Sequence, residues 1–423
     1  MKRSDSATLR NLPEWLSYLE QIHPSTIELG LERTQSVYGQ LSLPGFNRVI
    51  TVAGTNGKGT TCRAIEAMAI AQGVSVGVYS SPHLIDYRER VRVNDQLLSE
   101  AEHCWAFQQV ENCRTNTSLT YFEFGTLAAL VLLAKQNLDL IILEVGLGGR
   151  LDAVNIVDPD VAVITTIDLD HQDWLGNSRD KIATEKAGIL RHGKPAIIGE
   201  LQPPESLFQK TESLGCAAVW QGQDFGVKND SGKTLVWQRG NRDVELPDCN
   251  FPLQNMATAI AAGRALGWPV EQELVNTAFS NLTLPGRCQL VRQNPDVIVD
   301  VAHNPQATHY LLQQVMERTF GCLHLVCGML CDKDSQASLQ PFTSLAAKWY
   351  LAEVNSPRSA KVEVLKSCLS ENQEVEDFVS ISEAYSEALT NAEPEDLIVV
   401  FGSFFTVAEV FAFLGEQQES KQE

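Results

Sequence analysis

A glycine-rich run, Gly54-Thr55-Asn56-Gly57-Lys58-Gly59-Thr60-Thr61, follows the apolar stretch 49–53 and precedes the helix-compatible CRAIEAMAIA. Strand, glycine loop and helix in that order make an anion site. The glycines let backbone N–H groups approach phosphate oxygens, and the helix N-terminus adds its dipole. Lys58 is placed to reach β and γ phosphates, and the Thr60 hydroxyl to face Mg²⁺. A glycine separates Lys58 from Thr60, which departs from the usual GxxxxGK[ST] spacing. The loop specifies a nucleotide and says nothing about a reaction.

Two further runs put acid groups where such a ligand would lie. The apolar run 138–143 ends at Glu144, and 161–167 ends in Asp168-Leu169-Asp170-His171. Open α/β sheets bind ligands at the carboxyl ends of parallel strands, and hard oxygen donors suit Mg²⁺. Taken singly, each has a bland use: a solvated glutamate, a hydrogen-bonded structural histidine.

The elements that must position these groups alternate in an α/β pattern. After a helix around 13–19, the runs 48–53, 74–79, 138–145, 161–167 and 195–198 read as strands; the first four are continuous and branched, as in parallel strands covered on both faces. From 217 to 246 short alternating stretches broken by Gly, Asn and Asp predict a small antiparallel excursion. Residues 255–266 predict a helix, and Pro285-Gly286 within 281–287 marks a linker. Strands are then expected at 297–301, 324–327, 349–354 and 397–401, and the polar tail 416–423 is expected to fray. The expected architecture is a P-loop ATPase-like, mostly parallel domain over 1–284 and a smaller Rossmann-like α/β domain over 285–423.

The string TVAGTNGKGTT resembles the ATP loop of the Mur ligase superfamily, and more narrowly that of its bacterial dihydrofolate synthase/folylpolyglutamate synthase branch. The resemblance continues in order through YSSPHL, SLTYFEFGT, ILEVGLGGRLDAVN, DLDHQDWLG, EKAGI, LPGR, VDVAHNP, GMLCDKD and FGSFFTVAEV, nearly the whole chain. It implies an ATP-dependent ligase that adds L-glutamate to dihydropteroate and to reduced folates through an acyl phosphate. A monofunctional folylpolyglutamate synthase is the alternative; another Mur-type ligase is a remoter one. Only 53 residues precede Gly54, less than the UDP-binding domain that peptidoglycan-type members carry there.

Residue by residue, the resemblance implies nucleotide binding by Gly54, Thr55, Asn56, Gly57, Lys58, Gly59 and Thr60, with Asn255 on adenine, Arg287 on phosphate and Asp300 on ribose. It implies Mg²⁺ ligands at Ser81, Glu144 and His171, two ions in all, with K⁺ or another monovalent cation as an open addition. Lys58, Lys186 and His171 become catalytic, and Lys186 a candidate for carboxylation to a carbamate. Thr26, Leu29, Gly30, Thr120, Tyr121, Phe122, Glu123, Leu151, Asp152 and Ala153 are implied around the pterin, with His303 and Asn304 at the domain interface or the glutamate. His83 fits either a second catalytic imidazole or a cap on backbone groups.

The net charge of −20 opposes nucleic acid or an anionic membrane as partner. Anionic small molecules then need local cations or helix N-termini. No apolar run is long enough to span a bilayer, and the start MKRSDSATLRNLPEW lacks a leader's apolar stretch. A cytoplasmic monomer is expected, its ten scattered cysteines reduced. A regulatory or scaffold protein that binds ATP without making a bond is the rival from another class; it would not need Glu144, His171 and Lys186 together.

Overall fold

The structure, a computed structural model, describes residues 10–419. Eight strands make the first sheet: β1 (Val49–Ala53), β2 (Val76–Tyr79), β3 (Val91–Val93), β4 (Gln96–Leu97), β5 (Leu140–Glu144), β6 (Val161–Ile164), β7 (Pro195–Ile198) and β8 (Ala217–Trp220). Their spatial order is β4-β3-β2-β5-β1-β6-β7-β8, parallel from β2 to β8, with an antiparallel edge at β3 and β4.

Side-chain alternation sorts this sheet into two cores. Ile50, Val52, Val78, Ile142 and Val163 enter one apolar cluster; Ala53, Tyr79, Ile141, Leu143 and Ile164 enter the other. Both faces are covered, so the strands read as unbroken apolar runs. Helix Lys58–Ala71 packs with Leu253–Ala265 on the first face, and Tyr121–Lys135 with Glu100–Arg114 on the second. Tyr121–Lys135 is buried nearly all round, as a helix between layers must be. Its start is fixed by a capping box: the Thr120 side chain accepts the Glu123 N–H, and the Glu123 carboxylate accepts the Thr120 N–H at 2.8 Å.

The antiparallel excursion begins later than its pattern suggests. Ala217–Trp220 pairs parallel with β7 and extends the main sheet; the separate sheet is β9 (Phe225–Asp230), β10 (Lys233–Gln238) and β11 (Val244–Glu245). One exposed and three half-buried residues carry no alternation distinct from the hairpin that follows. β6 stops at Ile164 instead of 167, because Thr165 turns its hydroxyl onto the Asn56 carbonyl at 2.6 Å.

The second sheet comprises β12 (Gln289–Arg292), β13 (Asp296–Val299), β14 (Leu323–Cys327), β15 (Ala347–Ala352), β16 (Glu374–Phe378) and β17 (Leu397–Phe401), in the order β12-β13-β17-β14-β15-β16. All pairs but β12–β13 are parallel. Irregular chain through Pro285 and Gly286 joins helix Gln272–Phe279 to β12. The last helix, Phe404–Glu419, runs on into the tail expected to fray; residues 1–9 and 420–423 lie outside the described residues. All ten cysteines are free, and no described helix is long and apolar enough to cross a membrane.

Candidate active site

The carboxyl edges of the two sheets face each other across a cleft of about 700 Å³. The first sheet contributes the segments after β1, β2, β5 and β6; the second contributes those after β13, β14 and β17.

After β1 the loop turns on Gly57, whose φ of +81° favours glycine. A Cβ there would also collide with the Asn255 amide, which donates to the Gly57 carbonyl at 3.4 Å and to the Thr61 hydroxyl at 3.2 Å. Asn255 therefore braces the loop from the opposite helix. Lys58 heads the helix Lys58–Ala71, its Nζ donating to the Gly54 and Thr55 carbonyls at 3.1 and 3.3 Å.

Glu144 ends β5 at 5% exposure and accepts the Ser81 N–H at 3.3 Å. Burial raises its carboxyl above the ordinary value, opposed by the Lys58 charge. It has no ion-pair partner within 4.0 Å among the described residues. A buried, unpaired carboxylate is a costly feature that a cation relieves. His171, after β6, is held at φ +51° and its pKa is lowered to about 4, chiefly by burial; the imidazole is neutral and able to ligate. No three His, Cys, Asp or Glu side chains among the described residues form a metal cluster. One carboxylate, one imidazole and the hydroxyls of Ser81 and Thr60 fit Mg²⁺, which keeps most of its waters.

Lys186 closes helix Arg179–Lys186 and reaches the cleft wall at 4% exposure. Burial, then the Lys58 charge, lowers its pKa to about 7. The glycines of Leu147-Gly148-Gly149-Arg150 have a packing reason here: a Gly149 Cβ would press on the Glu185 and Lys186 carbonyls, and the Arg150 N–H donates to the Glu185 carbonyl at 2.8 Å.

From the second domain, Arg287 is half-buried with its guanidinium 5.1 Å from the Phe404 ring centre. Asp300 has both oxygens engaged by the Cys288 and Ala302 N–H groups, at 2.8 and 2.7 Å. His303 lines the cleft, and burial lowers its pKa to about 4. Asn304 stands behind the wall, where it exchanges two amide bonds with Asn56 at 2.9 and 3.0 Å. Gln306 accepts a third from Asn56 at 2.6 Å. The second domain thus grips the phosphate loop itself.

The residues expected around the pterin do not line this cleft. Thr120 and Glu123 are occupied in their capping box, and Glu123 also pairs with Arg33 at 3.0 Å. Arg33 in turn holds Glu28, so the segment with Thr26, Leu29 and Gly30 is tied to that helix start. Phe122 packs on Gly146, and Tyr121 lies 5.5 Å from the Arg90 guanidinium; Gly146 and Arg90 are both cleft wall. Asp152 is buried, accepts the Leu147 and Val154 N–H groups, and is raised to about 6 by burial. Leu151 is half-buried and Ala153 buried beside it. His83 accepts the Arg90 Nε–H at 2.9 Å, so its observed partner is an arginine and not a backbone group.

Residue patterns missed Lys333. Lys333 Nζ lies 2.7 Å from Asp170 Oδ1, both side chains buried, joining the domains. A lysine between two aspartates, Asp332-Lys333-Asp334, looks like solvated surface in sequence; the signal was only its place in the GMLCDKD run.

A nucleotide loop and acid edge facing a second α/β domain define a Mur-type ligase, an enzyme that uses ATP to form an amide bond. Residues 52–220 match the Mur ligase middle domain, and 286–404 the Mur ligase glutamate ligase domain. The chain is 46% identical over 404 residues to the dihydrofolate synthase/folylpolyglutamate synthase of Escherichia coli, covering 94% of each. It superposes on E. coli FolC in complex with DHPP and ADP with a TM-score of 0.93, at 44% identity, covering 98% of this chain and 100% of that one. A bifunctional folylpolyglutamate synthase/dihydrofolate synthase with Mn, AMPPNP and L-glutamate bound gives 0.91 at 44%, with the same coverage. The chain belongs to the dihydrofolate synthase/folylpolyglutamate synthase family.

Proposed function

We propose that this chain adds L-glutamate to dihydropteroate and, in a second activity, to reduced folates, using ATP and Mg²⁺. The observation that carries the reading is one cleft holding Lys58, Glu144, His171 and Lys186 on one side and Arg287, His303 and Lys333 on the other. The substrate carboxylate attacks the γ-phosphorus of ATP, giving an acyl phosphate and ADP. The glutamate amine then adds to the acyl carbon, and phosphate leaves as the amide forms. Lys58 and the loop N–H groups hold the phosphoryl group, and Arg287 neutralises charge from the second domain. Glu144, Ser81 and His171 would hold Mg²⁺, which would supply neutralisation of the phosphate charge. Asn255 and Asp300 orient the nucleotide. The acyl phosphate is shielded from water when the two domains meet across residues 281–287.

On this reading the domains divide at 284/285, Lys186 carries a carbamate, and Tyr121, Phe122 and Asp152 shape the pterin end from behind Gly146 and Arg90. The protein acts as a cytoplasmic monomer, with a monovalent cation as a further ligand. The test is ADP release with dihydropteroate or tetrahydrofolate, each with and without glutamate. A ligase needs acid and amine together; release that ignores glutamate refutes it, and activity on tetrahydrofolate alone selects the monofunctional alternative.

A further inference from the structure

Residues 81–90 leave β2 and return to β3 as a short finger whose shape is set from within. The Glu89 carboxylate accepts the backbone N–H groups of Leu84, Ile85 and Asp86 at 2.7, 2.9 and 2.7 Å. Asp86 caps the single turn Tyr87–Arg90 through the Arg88 N–H. Charge-assisted bonds to three consecutive amides make the tip a rigid unit. Its base stands in the cleft: Ser81 donates to Glu144, and His83 is fixed by Arg90.

The tip leaves its own domain. Leu84, at 9% exposure, is counted in the apolar cluster of the second domain, with Val299, Val301 and Val407. It reaches Gly286 in the linker, where a Cβ would stand 3.4 Å from Leu84 Cδ2. One side chain therefore joins a segment that touches Glu144 to the core of the opposite domain.

We propose that Leu84 is a positioning residue for ligation: its seat in the second domain sets the finger, and with it Ser81, against Glu144. The proposal rests on the ligase reading of the cleft and names the side chain through which domain contact reaches the metal site. A stiff finger passes displacement of its tip to its base, and Glu89 supplies the stiffness. Loss of the seat leaves the internal Glu89 bonds intact but frees the finger's position.

The test uses the full chain as wild type, Leu84→Met, Leu84→Ala, Glu89→Gln and the control Leu365→Ala, which empties the second domain's other core. Mn²⁺ is titrated calorimetrically with a non-hydrolysable ATP analogue present, and the Mg²⁺ requirement of ADP release is measured alongside. Leu84→Ala is expected to weaken Mn²⁺ binding about tenfold and to raise the Mg²⁺ requirement in parallel. Leu84→Met stays within about twofold of wild type, since it keeps the volume. Glu89→Gln falls between them, and Leu365→Ala loses thermal stability without a shift in metal affinity. Unchanged Mn²⁺ affinity in folded Leu84→Ala, or an equal shift in the control, overturns the proposal. Should Leu84→Ala not fold, Leu84→Val and Glu89→Gln carry the same comparison. A wild type that binds Mn²⁺ and nucleotide yet never couples ADP release to acid and amine counts against the ligase reading instead, and leaves the finger's metal test standing.

Discussion

Replacing Lys333 by Met strands a carboxylate between the two domains. The native Nζ lies 2.7 Å from Asp170 Oδ1, with side chains 7% and 10% exposed, and Asn304 Nδ2 donates to Oδ2 at 3.3 Å. Burial alone would push the Asp170 carboxyl up; His171 and His303 in their protonated forms, with the Lys333 ammonium and its hydrogen bond, outweigh it and hold the group well below the usual carboxylate range. Removing one partner of a buried pair costs ~3–5 kcal/mol, because the other keeps its desolvation cost and loses its counter-charge. The lower figure applies here, since the Asn304 amide still donates to the carboxylate, and ~3 kcal/mol is roughly a hundredfold in an equilibrium constant. The folded pKa of Asp170 is depressed, so its contribution is full above the unfolded value of about 3.9 and is lost as pH falls below it. The deficit of the variant should therefore be largest at neutral pH and shrink toward pH 3. Urea and calorimetric unfolding at pH 7 and pH 3.5 measure this, with Lys333→Met/Asp170→Asn as the companion that removes both charges and recovers part of the loss. A single-variant deficit under about 1 kcal/mol at pH 7 refutes the reasoning, as does a double variant less stable than the single.

Gly57→Ala forces an L side chain into a left-handed position costing ~1–2 kcal/mol and drives its Cβ into the Asn255 amide; nucleotide affinity measured by calorimetry should fall at least about tenfold. Lys58→Ala should abolish ATP-dependent ligation while circular dichroism shows a folded chain; a near-native rate excludes the role given to its ammonium. Lys186, with its pKa lowered to about 7, presents a neutral amine to CO₂ above that pH and an ammonium below it. A carbamate carbon should appear by NMR under ¹³CO₂ at pH 8, fade toward pH 6 and be missing from Lys186→Arg. The same lowering makes stability climb between about pH 7 and the unfolded value of about 10.5, as the folded state sheds its proton first.

The central strands of both sheets were legible because each is buried on both faces and carries an uninterrupted branched run. β3, β4, β12 and β16 escaped for the opposite reason: they lie on or near sheet edges, and β4 and β16 expose such residues as Gln96, Glu374, Glu376 and Asp377. That the phosphate loop, Glu144 and His171 share one cleft was readable because strand ends dictate where side chains go. Thr120 and Glu123 were harder. Their spacing, Ser/Thr-x-x-Glu, is a capping-box signature, and in the structure both side chains hold the helix start at Tyr121. Leu84 and Lys333 could not be placed from one sequence, since an apolar residue in a loop and a lysine among aspartates declare themselves only when the partner domain is present.

An excess of 20 negative charges and an anionic substrate pair coexist because the cations are concentrated where the field matters. Lys58, Lys186, Arg287, Arg90 and Lys333 all line the cleft, whereas carboxylates such as Asp158 and Glu28 pair at the solvent-facing surface. Burial strengthens each inward charge, as the interior screens it less than water does. It also explains why these groups are expensive alone: Lys186 sheds affinity for its proton, and Arg287 sits against Phe404 with its charge answered chiefly by Asp300 and Glu144. A triphosphate and a carboxylate entering together supply the missing negative charge. Lys58 and Lys186 have no carboxylate within ion-pair distance among the described residues, so the electrostatic cost of placing them here falls when an anionic ligand enters the cleft.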